Sequence, residues 1–182
     1  RRPGRGGSPD ENLTRQAAVE SHNPYRLFGL TSAFNPETVR SFDLFAGAFS
    51  SKYGDRLSSL LVVENRPGSD AASFSGSTAV SLTDANAVFE GRLPGEEKGS
   101  WIVTARRTYY DLVANSLVGT ELPAFGDLQG RLDWNLRPGT RLTFFGLLSR
   151  EATDAFFEGD RDGEQGDFVT SARNDLAALK LT

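Results

Sequence analysis

Residues 128–136 read Leu-Gln-Gly-Arg-Leu-Asp-Trp-Asn-Leu, and every large apolar side chain in this stretch stands at an even position. Because successive side chains of a β-strand point to opposite faces, the pattern predicts a strand with one apolar and one polar face. Nine residues with a rise of about 3.3 Å each extend over roughly 30 Å, or about 21 Å of depth at a tilt of about 45°. This depth is close to the apolar band of an outer-membrane β-barrel, which is roughly 25 Å tall.

Five further strand candidates lie in the same part of the chain, at residues 75–82, 85–93, 100–110, 140–149 and 168–181. The connections between candidates alternate between short, at 93–99 and 137–139, and long, at 111–126 and 151–167. Outer-membrane barrels have short turns at one end and long loops at the other. The sequence therefore predicts a mainly β fold, with residues 68–182 forming about six antiparallel strands of an incomplete outer-membrane β-barrel.

The same alternation also fits a second fold. A soluble β-sandwich that serves as a ligand-binding module buries one face of each sheet and produces the same period of two. Two features favour the barrel: the polar faces carry Arg and Asp in mid-strand, and the connection lengths are unequal. On the pattern alone both folds stay open.

The composition argues against several classes of function. The chain has no cysteine and one histidine, His22, so disulfides, thiol nucleophiles and Cys or His metal sites are not expected. Its 20 basic and 24 acidic residues give a net charge of −4, which argues against a nucleic-acid partner. The acidic run 158–167 lacks the spacing of a calcium-binding loop and is interpreted as a solvated loop. No catalytic triad context or phosphate-binding loop is recognisable, so we expect neither enzymatic activity nor a cofactor.

The N-terminal residues 1–22 are polar, with glycine and proline concentrated at the start. Such a composition buries little surface, so we expect a flexible segment in which residues 12–20 form at most a short helix. The chain contains no methionine, and we expect it to be a fragment of a longer protein.

Residues 23–67 have a mixed pattern. Asn35 suits the cap of a helix that begins at Pro36, and this helix is expected to be brief. Two buried-strand candidates follow, at 41–46 and 60–63, and a turn at 66–68 ends the region.

Several motifs in residues 23–67 resemble, in their order, the plug domain of TonB-dependent outer-membrane receptors. They read NPYRLFG at 23–29, FNPE at 34–37, VRSFDLFAG at 39–47 and KYGDRLSS at 52–59. The family's plug has a brief helix, a strand ending in Gly, a Tyr-Gly pair and a final strand ending near Asn-Arg, here Asn65-Arg66. The matching plug positions are Asn35, Pro36, Gly47, Tyr53, Gly54 and Arg56. The segments 90–93, 99–101 and 106–111 look like the opening strands of the receptor barrel.

The resemblance implies a fragment of an active transporter in the outer membrane of a Gram-negative-type bacterium. In the family a 22-stranded barrel in outer-membrane lipid encloses the plug, and the TonB complex pulls on the plug to admit a small-molecule substrate. Such substrates are iron-siderophore chelates, cobalamin or oligosaccharides. The chain departs from the family because the text before Asn23 lacks the first half of the plug and any TonB-contact box. Only about six barrel strands are present, so we expect this chain alone not to transport.

The resemblance also implies roles for individual residues. Tyr53-Gly54 is expected to make a tight bend, after which Arg56 faces the barrel wall, and Glu90 is the candidate partner of Arg56 in an ion pair that locks the closed state. One hypothesis is that three further residues line the lumen and contact the plug or an anionic substrate, namely Arg106, Arg107 and Tyr109. The alternative is that these three lie at the rim, with Tyr109 in the aromatic girdle at the membrane interface.

Overall fold

The computed structural model describes residues 12–16, 19–21, 25–26, 31–32, 35–45, 59–95, 98–109, 124–158 and 165–182. The described residues form twelve strands and one short 3-10 helix, so the predicted mainly β fold is confirmed. In this part of the chain the strands are arranged in three sheets, of six, four and two strands.

The four-stranded sheet is built from the first 65 residues. Its strands are β1 (Asn12–Gln16), β2 (Val19–Ser21), β5 (Val39–Phe45) and β6 (Ser59–Asn65), in the order β2-β1-β6-β5. The pair β1–β6 is parallel and the other two pairs are antiparallel. A separate two-stranded sheet consists of β3 (Tyr25–Arg26) and β4 (Thr31–Ser32).

The short helix proposed for residues 12–20 is wrong, because β1 and β2 occupy most of that range. Strand β1 pairs with β6 along its whole length, from Asn12 opposite Ser59 to Gln16 opposite Val63. The backbone of this polar segment is thus hydrogen-bonded to an apolar strand far along the chain. Local composition does not reveal such a partner, which is why the sequence pattern favoured another structure.

The 3-10 helix covers Pro36–Thr38, and its brief length and its start agree with the prediction. Asn35 is the N-cap: its side-chain oxygen accepts a hydrogen bond of 3.1 Å from the backbone N–H of Glu37. Pro36 occupies the first turn, where its missing N–H costs nothing. The predicted strands at 41–46 and 60–63 are confirmed as β5 and β6.

The six-stranded sheet is an antiparallel meander in chain order. Its strands are β7 (Ser75–Val80), β8 (Asp84–Arg92), β9 (Gly99–Thr108), β10 (Ala124–Arg137), β11 (Thr140–Glu158) and β12 (Gln165–Leu181). All six correspond to predicted strands. Strands β8 and β9, like β10 and β11, are joined at one end of the sheet, and the other three consecutive pairs are joined at the opposite end.

The connection predicted at 151–167 is mostly strand. Strands β11 and β12 pair from Leu142 opposite Leu181 to Glu158 opposite Gln165, which leaves 159–164 between them. Polar residues in this stretch suggested a loop. Their backbone groups are satisfied by cross-strand pairing all the same, because a ladder of hydrogen bonds does not depend on apolar side chains.

The two faces of the six-stranded sheet differ in composition and exposure. We call inner the face that contacts the end of β6, and outer the opposite face. On β10 the outer face carries Leu128, Trp134 and Leu136, which are 46–47% exposed. The inner face carries Gln129 and Asp133, each 3% exposed. The predicted division of residues 128–136 between two faces is confirmed, with the polar face buried.

Candidate functional site at the contact between the sheets

An ion pair joins the end of β6 to strand β8. The Arg66 guanidinium contacts the Glu90 carboxylate through two hydrogen bonds, Nη1 to Oε2 at 2.6 Å and Nη2 to Oε1 at 3.4 Å. The backbone N–H of Ser69 donates a third hydrogen bond to Glu90 Oε2, at 2.9 Å. The side chains of Arg66 and Glu90 are 30% and 17% exposed, so water competes only in part for this contact.

A second contact comes from β10. The Arg131 guanidinium donates to the backbone carbonyl oxygen of Asn65 and also forms two hydrogen bonds with Asp133, at 2.7 and 3.0 Å. Thr143 Oγ1 on β11 donates to the same carboxylate at 2.7 Å. Asp133 and Thr143 therefore hold the Arg131 guanidinium in position to reach the end of β6.

The short helix provides a third contact. The Asn35 side-chain nitrogen donates to the side-chain oxygen of Asn86 on β8, at 3.0 Å, while Asn35 itself is 1% exposed. The helix and the end of β6 are also hydrogen-bonded to each other. Arg66 Nε donates to the carbonyl oxygen of Glu37 at 2.6 Å, and the backbone N–H of Arg66 donates to the carbonyl oxygen of Thr38 at 2.8 Å. We call residues 35–38 and 65–69 together the anchor unit.

The anchor unit also approaches the backbone of β9. A Cβ atom added at Gly68 would lie 2.1 Å from the carbonyl oxygen of Trp101, far closer than any real contact. Gly68 is buried, so only a residue without a side chain fits between the anchor unit and this strand.

Among the predicted plug residues, the structure describes Asn35 and Pro36, and it places both in the anchor unit. Four predicted residues lie outside the described residues, namely Gly47, Tyr53, Gly54 and Arg56. Glu90 lies at the contact between the sheets, but its partner is Arg66 instead of the expected Arg56. Arg66 follows the last strand of the plug-like region directly, which brings it nearer to β8 along the chain.

Arg106 and Arg107 do not share a surface, contrary to the expectation that both line the lumen. Consecutive residues of a strand point to opposite faces, and Arg106 lies on the inner face while Arg107 lies on the outer face. Arg106 Nε is 2.7 Å from Asp127 Oδ2, and its guanidinium carbon is 5.0 Å from the centroid of the Phe125 ring. The side chains of Arg106 and Asp127 are 8% and 1% exposed.

Tyr109 lies at the end of β9 and stabilises the turn between β7 and β8. Its hydroxyl donates to the carbonyl oxygens of Ser81 and Asp84, and its backbone N–H donates to the carbonyl oxygen of Thr83. Tyr109 directly follows the last residue of β9, a position that agrees with the alternative given above, a residue at the rim. Its place in an aromatic girdle stays a prediction.

The sequence analysis missed Asn86 and Arg131, which make two of the three contacts to the anchor unit. Their signal was present: each is a polar residue in mid-strand, on the face opposite the apolar side chains.

The arrangement suits reversible adhesion between two sheets. Within the described residues no group of three or more acidic or histidine side chains is placed to hold a metal ion.

Among the described residues there is no helix of the length and apolar character that crossing a membrane requires. Comparison of the chain with protein-family models, with curated proteins and with solved structures gives no match.

Proposed function

We propose that this chain is part of a TonB-dependent outer-membrane transporter. Residues 23–67 belong to its plug domain and residues 68–182 to the first strands of its barrel. The observation that carries the proposal is the side-chain distribution on the six-stranded sheet: the outer face is apolar and exposed, whereas the buried inner face combines polar side chains with the apolar cluster of Phe145, Leu147 and Leu176.

The outer face is apolar over several rows of cross-strand neighbours. Nine of its large apolar side chains are between 38% and 70% exposed: Phe89, Val103, Leu128, Trp134, Leu136, Phe144, Leu148, Leu179 and Leu181. From Leu128 to Leu136 the band extends over about 27 Å of strand, or about 20 Å of depth at the usual barrel tilt of about 40°. A soluble monomer rarely exposes so large an apolar surface, whereas a bilayer covers it with acyl chains.

The inner face contacts the anchor unit through polar groups. The layers of a soluble β-sandwich pack through interdigitated apolar side chains, with the polar residues outside. Here the contacts at β8 and β10 are ion pairs and amide hydrogen bonds. The inner face also buries an apolar cluster of Phe145, Leu147 and Leu176, whereas Leu128, Trp134 and Leu148 lie exposed on the outer face. This arrangement favours the transporter over the sandwich.

In the proposed transporter the contacts of the anchor unit hold the plug against the barrel wall. Glu90, Arg131 and Asn86 belong to the wall, and Arg66 and Asn35 to the plug. Each contact is a side-chain hydrogen bond or ion pair, which separates under a pull without unfolding either sheet. The TonB complex as the partner, and a substrate of the iron-chelate, cobalamin or oligosaccharide type, follow from the resemblance.

The experiment uses the two tryptophans of the chain, Trp101 and Trp134, both of which lie on the outer face. The protein is reconstituted into phosphatidylcholine vesicles that carry bromine at defined acyl positions, and the fluorescence of single-tryptophan variants W101F and W134F is recorded. Both tryptophans are expected to be quenched. Trp101 lies two residues nearer the centre of the band, so it is expected about 5 Å deeper than Trp134.

Fluorescence that bromolipids leave unchanged would contradict the transporter. A monomer that is soluble without detergent would then support the β-sandwich. Iodide in the aqueous phase serves as the control, because it quenches a water-exposed tryptophan and leaves a lipid-covered one unaffected.

A further inference from the structure

The outer face of the six-stranded sheet changes from apolar to basic at a single row. Successive register partners on β9, β10, β11 and β12 form this row: Arg107, Gly126, Arg150 and Arg173. The next row toward the short turns contains Ala105, Leu128, Leu148 and Asp175. The arginines therefore mark the border of the apolar band, at the end of the sheet where the connections 110–123 and 159–164 lie.

A shallow cleft of about 270 Å³ lies on this border. Leu128 and Leu148 line its apolar side, and Arg150 and Arg173 its basic side, with Asp175 beside them. Gly126 leaves space there because it has no side chain. A Cβ atom at Gly126 would find its nearest neighbour, the Arg106 carbonyl oxygen, at 3.5 Å, so a larger side chain fits without a clash.

Two arginines and two aspartates line the cleft. Asp127 is paired with Arg106, and Asp175 accepts a hydrogen bond of 2.6 Å from Arg173 Nε. The two side chains of the Arg173–Asp175 pair are 65% and 37% exposed, so the pair is weakly held and a stronger anion displaces it. Arg107 lies in the same row as Arg150 and Arg173 but outside the lining. Arg107 and Arg150 are exposed on the same face.

We propose that this cleft binds the phosphate-bearing headgroup of a membrane lipid. Arg150 and Arg173 bind the phosphate, because the planar guanidinium forms paired hydrogen bonds with phosphate oxygens. Leu128 and Leu148 contact the first carbons of an acyl chain, which continues along the apolar band. The inference rests on the proposed function, since it requires lipid on the outer face.

The test measures lipid retention by native mass spectrometry of the protein in a neutral detergent. Phosphatidylglycerol, whose phosphate leaves a net negative charge, is titrated against zwitterionic phosphatidylcholine. The wild type is expected to prefer phosphatidylglycerol. The double variant R150Q/R173Q should lower the affinity for phosphatidylglycerol by about tenfold, since each basic residue at a lipid surface contributes a several-fold effect.

Two further variants separate the cleft from general charge. Gly126→Leu keeps every charge and fills the cleft, and it too is expected to reduce phosphatidylglycerol retention. Arg92→Gln removes one positive charge at an exposed position at the other end of β8 and should retain the wild-type preference, whereas the single variant Arg150→Gln should lose part of it. Inorganic phosphate added at matched concentration is expected to displace little lipid, because it lacks the acyl chain that contacts the leucines.

Three outcomes would each overturn the proposal. They are an unchanged phosphatidylglycerol preference in R150Q/R173Q, an equal loss of that preference in R92Q, and displacement of bound lipid by inorganic phosphate as effective as by free lipid. The tryptophan experiment uses phosphatidylcholine alone, so it does not depend on this cleft. Bromolipid quenching together with no phosphatidylglycerol preference would reject the headgroup site and leave the transporter supported.

Discussion

The inner face of the six-stranded sheet buries Thr104, Gln129 and Asp133 to 3% exposure or less, whereas its outer face leaves Leu128 and Trp134 nearly half exposed. In water, burial of a polar side chain and exposure of a large apolar side chain are both unfavourable. A buried polar group needs a hydrogen-bond partner, and an exposed apolar side chain orders or excludes water at a cost proportional to its area.

The two faces differ in how this cost is met. On the inner face two buried carboxylates have partners in the protein: Asp127 pairs with Arg106, and Asp133 pairs with Arg131 and Thr143. The buried Thr104 hydroxyl has no hydrogen-bond partner within the described part of the chain. On the outer face no such partner is needed if the surroundings are apolar. The comparison teaches that exposure and polarity must be considered together, since a sheet with this distribution gains stability when an apolar medium or partner covers its outer face.

The largest effect is expected from breaking the buried pair on the inner face. Asp127→Ala leaves the Arg106 guanidinium buried without its carboxylate, and should lower the free energy of unfolding by about 3–5 kcal/mol. Urea unfolding of the reconstituted protein measures the change.

The double variant R106M/D127L is the control for this pair. It removes both charges and replaces them with apolar side chains of similar volume, so most of the lost stability should return. A double variant no more stable than Asp127→Ala would mean that the pair has a role other than mutual neutralisation.

The second effect concerns the outer face. Phe144 is 48% exposed and lies in the row of Leu132 and Trp101, near the middle of the band. Phe144→Arg places a charge there and should destabilise the lipid-embedded protein by about 2–4 kcal/mol. In a water-exposed sheet the same change would be close to neutral.

Leu82→Arg is the matched control for the outer face. Leu82 is 85% exposed in the connection 81–83, outside the band, so its replacement should leave the unfolding free energy unchanged in lipid. Equal effects of the two substitutions would argue against a lipid boundary between the two positions.

The third effect tests the contact between the sheets. Glu90→Gln removes the negative charge that binds Arg66 and the Ser69 N–H, and should weaken the contact by about 1–2 kcal/mol. Hydrogen exchange at the Ser69 amide is expected to accelerate about tenfold, since a change of 1.4 kcal/mol corresponds to that factor. In the intact transporter the same variant should increase the leak of large antibiotics.

Glu64→Gln provides the comparison for Glu90. Glu64 is exposed on β6, so the same chemical change in the plug-like sheet should alter neither exchange at Ser69 nor permeability. Unchanged exchange and normal permeability in Glu90→Gln would show that the Arg66–Glu90 pair does not hold the anchor unit to the six-stranded sheet.

Much of this fold follows from the sequence. The alternation in 128–136 predicted a strand with two unlike faces, and Asn35-Pro36 predicted the start of the short helix. Both signals are local, because they depend on the period of a strand and on the chemistry of a cap within three residues.

The parts that the sequence did not predict depend on register and on distant pairing. Arg66 reaches Glu90 across 24 residues, and Arg131 reaches Asn65 across 66. A one-residue shift of β8 would turn Glu90 to the other face, so its partner cannot be chosen before the register is known. Arg106 and Arg107 are consecutive residues of one strand, so the alternation of side chains already predicts that they lie on opposite faces.

The smallest effect separates two functions of one side chain. Asn35 caps the helix through its side-chain oxygen and contacts strand β8 through its side-chain nitrogen, which donates to Asn86. Asn86→Ala removes the wall contact alone and should cost about 0.5–1.5 kcal/mol. Asn35→Ala removes that contact and the cap, and should cost about 1 kcal/mol more. If urea unfolding gives equal losses of stability for the two variants, the cap contributes nothing and Asn35 acts only through its contact with Asn86. If Asn86→Ala costs nothing, Asn35 acts only as the helix cap, and the ion pairs alone hold the anchor unit to the six-stranded sheet.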